Sequence, residues 1–72
     1  MPLYLCNKHA DNHGLHEVHT SDCHHLPLPD NRIEVGYFST CREAIEALEN
    51  ANRGKGFTFD GCYYCSPACH KG

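Results

Sequence analysis

An α+β fold is predicted, with two or three short antiparallel strands, one main helix over about residues 41–52 and a C-terminal cysteine knuckle. Three observations predict it. A chain of 72 residues buries too small a share of its surface for apolar burial to stabilise it comfortably, so a staple is needed. Apolar residues alternate over residues 32–38 with the period of a strand and recur over 41–52 with the period of a helix. Finally, Cys62, Cys65 and Cys69 crowd into one short terminal segment.

Leu3 to Cys6 is a short apolar stretch suited to an edge strand, and Asp11-Asn12-His13-Gly14 has the composition of a turn. Glu17-Val18-His19 then returns as a second strand, so the two form a hairpin whose loop carries His9 and His13. Leu26-Pro27-Leu28-Pro29-Asp30-Asn31 is a connection, because each proline lacks an amide donor and restricts the residue before it. In Arg32 to Phe38, Ile33, Val35 and Tyr37 alternate with Arg32, Glu34 and Gly36, which predicts the main, half-buried strand. Thr40-Cys41-Arg42-Glu43 has the form of a capping box and starts a helix from Cys41 to about Asn52. Its apolar stripe is Cys41, Ala44, Ile45, Leu48 and Ala51, and Gly54 and Gly56 end it. Phe57 to Gly72 turns at Asp60-Gly61 and enters the knuckle, where Ser66-Pro67 starts one helical turn carrying Cys69 and His70.

Six cysteines and seven histidines offer either disulfides or a metal as the staple. The N-terminal run Met1 to Asn7 has no basic region, long apolar core or small-residue cleavage site, which predicts an intracellular, cytoplasmic protein. In a reducing compartment clustered cysteines serve more often as metal ligands than as cystines, which favours zinc. Cys62-x-x-Cys65 presents two thiolates on one tight turn, and His19-x-x-x-Cys23 supplies a nitrogen and a sulfur from a strand end. Together they make a closed Cys3His set, with Cys69, His70 and His16 as alternates. Cys41, on the helix stripe, and Cys6, on a strand, read as buried thiols. His9, His13, His24 and His25 read as solvated loop residues. His16-Glu17-Val18-His19 departs from the zinc protease signature, because its histidines are three residues apart and point to opposite faces of a strand.

The run His16-Glu17-Val18-His19, Cys23, Leu26-Pro27, Gly36-x-Phe38, Glu43-Ala44, Asp60-Gly61-Cys62-x-x-Cys65 and Cys69-His70 resembles a family of small, uncharacterised bacterial zinc-binding proteins. The resemblance covers nearly the whole chain and implies a fold rather than an activity. A more distant pattern, of His19 and Cys23, then Phe38, Thr40, Glu43 and Ala44, then Cys62 and Cys65, is similar to the metal-binding module of the Ada DNA-repair protein. That likeness implies the same four ligands and a thiolate that accepts alkyl groups in a nucleic-acid setting. The stretch between Ala44 and Cys62 is longer here than in that module.

No membrane partner is expected, since no apolar run reaches the length of a membrane span. The formal net charge of −3, with six Lys and Arg against nine Asp and Glu, gives little attraction to a phosphate backbone and favours a protein partner. Nucleic acid is retained as a partner through Arg53, Lys55 and Lys71 and through stacking on Tyr63, Tyr64, Phe57 or Phe59, although core filling is the simpler reading of those rings. The expected function is therefore a zinc-stabilised binding module with no catalytic constellation. The alternatives are a zinc-thiolate alkyl acceptor and, from the surplus histidines, a metal carrier or sensor.

Overall fold

The hairpin forms as its turn chemistry dictates, from β1 (Leu3–Asn7) and β2 (Leu15–Thr20), paired antiparallel with Leu5 opposite His19 and Cys6 opposite Val18. In the connecting loop the Asp11 carboxylate accepts hydrogen bonds from the amides of His13 (2.8 Å) and Leu15 (3.0 Å), and Gly14 supplies the positive φ of +77°. This computed structural model describes residues 1–71.

β3 (Arg32–Tyr37) pairs antiparallel with the other side of β1. It was expected to be the main strand, yet it lies at the edge of the sheet, and its alternation is broken. Tyr4 pairs with Gly36 and Leu5 with Glu34, so Val35 is an extra residue, and Gly36 turns the chain there with a φ of +135°. Val35 consequently packs against the core, while Ile33 and Tyr37 remain 46% and 65% exposed.

The helix α1 (Cys41–Ala51) starts at the expected Thr40 cap, but the return bond of Glu43 goes to the amide before Thr40 rather than to that of Thr40 itself. Thr40 Oγ1 accepts from the Glu43 amide (3.2 Å), and Glu43 Oε1 reaches back to the Ser39 amide (3.0 Å). Cys41, Ala44 and Ile45 are buried, Leu48 is half-buried, and Ala51, expected on the same stripe, is exposed.

A strand follows the helix where Asp60-Gly61 predicts a turn. β4 (Thr58–Gly61) runs parallel to β2, with Phe59 beside His16 and Gly61 beside Val18. Among the described residues the sheet thus has four strands in the order β3-β1-β2-β4. β3 and β4 point the same way at opposite edges, a connection that needs a crossover, and α1 provides it. The core lies between helix and sheet: Cys41, Ala44 and Ile45 meet Tyr4, Cys6, Val18 and Phe59.

Candidate metal centre

Because β2 and β4 are parallel, their C-terminal ends emerge side by side. His19 is the penultimate residue of β2, and Cys62 directly follows β4, where its amide donates to Val18 O (3.0 Å) and continues the pairing. Both chains then turn back, with Cys23 N on Thr20 O (3.1 Å) and Ser66 N on Cys62 O (2.8 Å). The second cysteine of each segment is thereby returned to the first donor. One donor atom from each of His19, Cys23, Cys62 and Cys65 lies within 4.8 Å of all the others.

The internal spacings suit a tetrahedral ion. Cys23 Sγ and Cys62 Sγ are 3.9 Å apart, and Cys65 Sγ is 3.8 Å from His19 Nδ1. Metal–sulfur and metal–nitrogen bonds of the usual length for zinc place tetrahedral donors about 3.8 Å (S to S) and about 3.6 Å (S to N) apart. These two pairs stand at tetrahedral spacing and the remaining donors lie within 4.8 Å, so the set could hold a metal ion.

His19 is prepared for this role from behind. Its side chain is fully buried, and Nε2–H donates to Asn7 Oδ1 at 2.9 Å, with Glu17 Oε1 3.6 Å from the same nitrogen. This fixes the tautomer and leaves the Nδ1 lone pair facing the sulfurs. Burial, reinforced by His25, lowers the pKa of His19 and holds the ring neutral, the form a metal requires. Asn7 was not singled out in the sequence; its position at the end of the strand paired with the His19 strand was the available signal.

The sulfurs differ. Burial, together with its hydrogen bond to Cys65, pushes Cys23 up to about 12 against the pull of the His25 amide, which donates to its Sγ at 3.4 Å. Burial also raises Cys65, but hydrogen bonds from Cys23, the Thr20 amide (3.4 Å) and Cys62 outweigh it and leave its pKa lowered. Cys65 is thus the sulfur at which negative charge is favoured, and it is half-buried, opening into a shallow cavity lined by Asp22, His24, His25 and Tyr64. The His25 and Tyr64 rings stack 3.8 Å apart and join the loops that carry Cys23 and Cys65.

Comparisons with protein-family models, curated proteins and solved structures return no match.

The alternates lie elsewhere. His16 shares the helix side of β2 with Val18, opposite to His19; its Nδ1 is 3.0 Å from Asn7 O and its ring is flanked by Phe57 and Phe59. His70 Nδ1 is 3.1 Å from Gly61 O and 3.5 Å from Asp60 Oδ2. Cys69 is bonded to Cys41 in a disulfide, and a disulfide sulfur has no thiolate to offer a metal. This corrects the reading of Cys41 as a buried free thiol and adds a second staple beside the metal-type cluster. Cys6 remains a free thiol, 1% exposed and pushed by burial up to about 11.

Asp60, read as a turn residue, is a buried strand residue whose carboxylate accepts from the Lys71 amide (2.6 Å) and ties down the C-terminal segment. Of the four aromatics read as core filling, only Phe59 is core; Phe57, Tyr63 and Tyr64 are exposed. His9, His13, His24 and His25 are exposed, as expected.

Proposed function

We propose that His19, Cys23, Cys62 and Cys65 bind one zinc ion as a closed structural site, and that the chain it holds together is a small cytoplasmic module for a protein partner. The observation that carries this reading is the convergence of three sulfurs and one oriented imidazole at tetrahedral spacing. Soft thiolates with one imidazole in that geometry favour zinc among the divalent metals. Such a site contributes folding free energy on the order of 10 kcal/mol and leaves no protein-free coordination position for hydrolytic water. Exposed Tyr63 and Tyr64, 62% and 66% accessible beside the site, and the acidic balance of the chain support a protein partner. Among the described residues no helix is long and apolar enough to cross a membrane.

Titration with cobalt(II) tests the site. One equivalent giving tetrahedral d–d bands and a thiolate charge-transfer band, displaced by zinc and lost in Cys62→Ser, is the expected result. Weak binding of several ions without the charge-transfer band refutes the structural site and favours the carrier reading.

A second reading rests on Cys65 being the least buried of the three sulfurs, beside Cys23 on the same cavity. In it the Cys65 thiolate attacks the carbon of an alkyl donor, the sulfur–carbon bond forms, and the leaving group departs with the electron pair. Methyl methanesulfonate should then methylate Cys65 of the folded zinc form faster than any cysteine of the unfolded chain. Equal or slower reaction rejects it.

A further inference from the structure

The disulfide has no part in the proposed metal site, and its surroundings are those of a reactive bond. It joins the first residue of α1 to the one-turn 3-10 helix Pro67–Cys69, under a groove whose walls include Thr40, Arg42, Glu46, Ala68, His70 and Lys71. The two sulfurs are unlike. Both line the groove, but Cys41 is 7% exposed and belongs to the core cluster, whereas Cys69 is half-buried and packs against that cluster from its edge. Cys41 also occupies the N-terminal position of an eleven-residue helix, where the macrodipole and the free amide ends favour a thiolate.

We propose that Cys41–Cys69 is a thiol–disulfide exchange site, with Cys69 the sulfur attacked and Cys41 the leaving group. An external thiolate, of the monothiol or dithiol class, attacks Cys69 Sγ through the groove. Its sulfur forms a bond to Cys69, the Cys41–Cys69 bond breaks, and the electron pair leaves on Cys41, which takes a proton from solvent. A second thiol then attacks the reductant's sulfur in the mixed disulfide and frees Cys69. The chain gains two electrons and two protons, and the reductant leaves as a disulfide. Access and leaving-group stability both direct attack to Cys69, since exchange is fastest at the accessible sulfur that expels the better-stabilised thiolate. In the reducing compartment proposed above, an accessible disulfide persists only as an exchanging one.

The exchange reaches the ligand loop. Gly61, next to Cys62, lies so close to the Cys69 turn that a Cβ there would be 2.6 Å from both Cys69 Cβ and Ser66 O. Cys69 N in turn donates to Ser66 O (3.0 Å), and Ser66 N to Cys62 O (2.8 Å). Opening the disulfide removes the covalent tether at the outer end of the loop that carries Cys62 and Cys65 and leaves only hydrogen bonds such as Lys71 N to Asp60 there, so the open form gives up its metal sooner. This second part rests on the zinc reading; the site of exchange does not.

The test uses the oxidised, zinc-loaded full chain with glutathione, quenched in acid and mapped by peptide mass spectrometry. Glutathione on Cys69 with a free thiol at Cys41 is expected. An adduct mainly on Cys41 overturns the proposal, as does a bond that stays closed in the folded chain while opening promptly in the urea-unfolded one. For the second part, zinc transfer to a chromogenic chelator is compared between oxidised and reduced wild type. The reduced form should transfer about tenfold faster, and the Cys41→Ser/Cys69→Ser variant should match it whatever the reductant. Equal rates in oxidised and reduced wild type overturn the coupling and leave the adduct map standing.

Discussion

Replacing Asn7 by alanine isolates the support behind His19. The side-chain oxygen that accepts from His19 Nε2–H at 2.9 Å disappears, and the donor it leaves belongs to a side chain with no exposed surface. An unsatisfied buried donor costs about 1–3 kcal/mol. Glu17 Oε1, 3.6 Å from the same nitrogen, takes up part of that loss, which leaves about 1–2 kcal/mol. At about 1.4 kcal/mol per factor of ten, the metal should bind about 5- to 30-fold more weakly. Asn7→Asp keeps an acceptor at the same place and should remain within about threefold of wild type, while Asn7→Ala/Glu17→Ala should lose the larger factor. Competition with a chelator of known affinity measures the loss, and nitrogen NMR of His19 reports the tautomer. Wild-type affinity in Asn7→Ala, or an equal loss in Asn7→Asp, would refute the role given to this hydrogen bond.

Gly61→Ala should destabilise the fold by about 1–3 kcal/mol, because the new methyl meets Cys69 Cβ and the Ser66 carbonyl at 2.6 Å and neither is a flexible side-chain end. A thermal midpoint unchanged from wild type would contradict that. Cys6, whose thiol burial pushes up to about 11, should resist iodoacetamide at neutral pH in the folded chain and react once urea exposes it. Equal labelling in both states would contradict its burial. The amides of Leu15 and then His13 hold the Asp11 carboxyl below the usual carboxylate range. Its contribution to the hairpin loop is therefore present above the unfolded-state pKa and lost as pH falls through the lower folded-state value. Carbon NMR titration should show the depressed midpoint, and Asp11→Asn should abolish that step.

Local signals carried the hairpin, the proline connection and the helix into the sequence reading, because each depends on neighbours: Asp11 and Gly14 on their own loop, Thr40 and Glu43 on one helical turn. The convergence of His19, Cys23, Cys62 and Cys65 was legible for the same reason, since His19-x-x-x-Cys23 and Cys62-x-x-Cys65 are each closed by a single turn. What was missed depends on distant partners. Thr58–Gly61 is short and carries Asp60 and Gly61, which read as turn residues, and it becomes a strand only beside β2. The Val35 bulge exists only against β1, and the Cys41–Cys69 pairing spans 28 positions that no spacing rule connects. Asn7 has meaning only once β1 lies beside His19.

The central claim is that one metal ion, held by His19, Cys23, Cys62 and Cys65, is needed for the fold. Native mass spectrometry of the cytoplasmically expressed chain, repeated with circular dichroism after chelation, tests it most directly. One zinc per chain, lost together with the secondary-structure signal, is the expected result. A chain that carries no metal, or that keeps its circular dichroism spectrum after the metal is stripped, would contradict it.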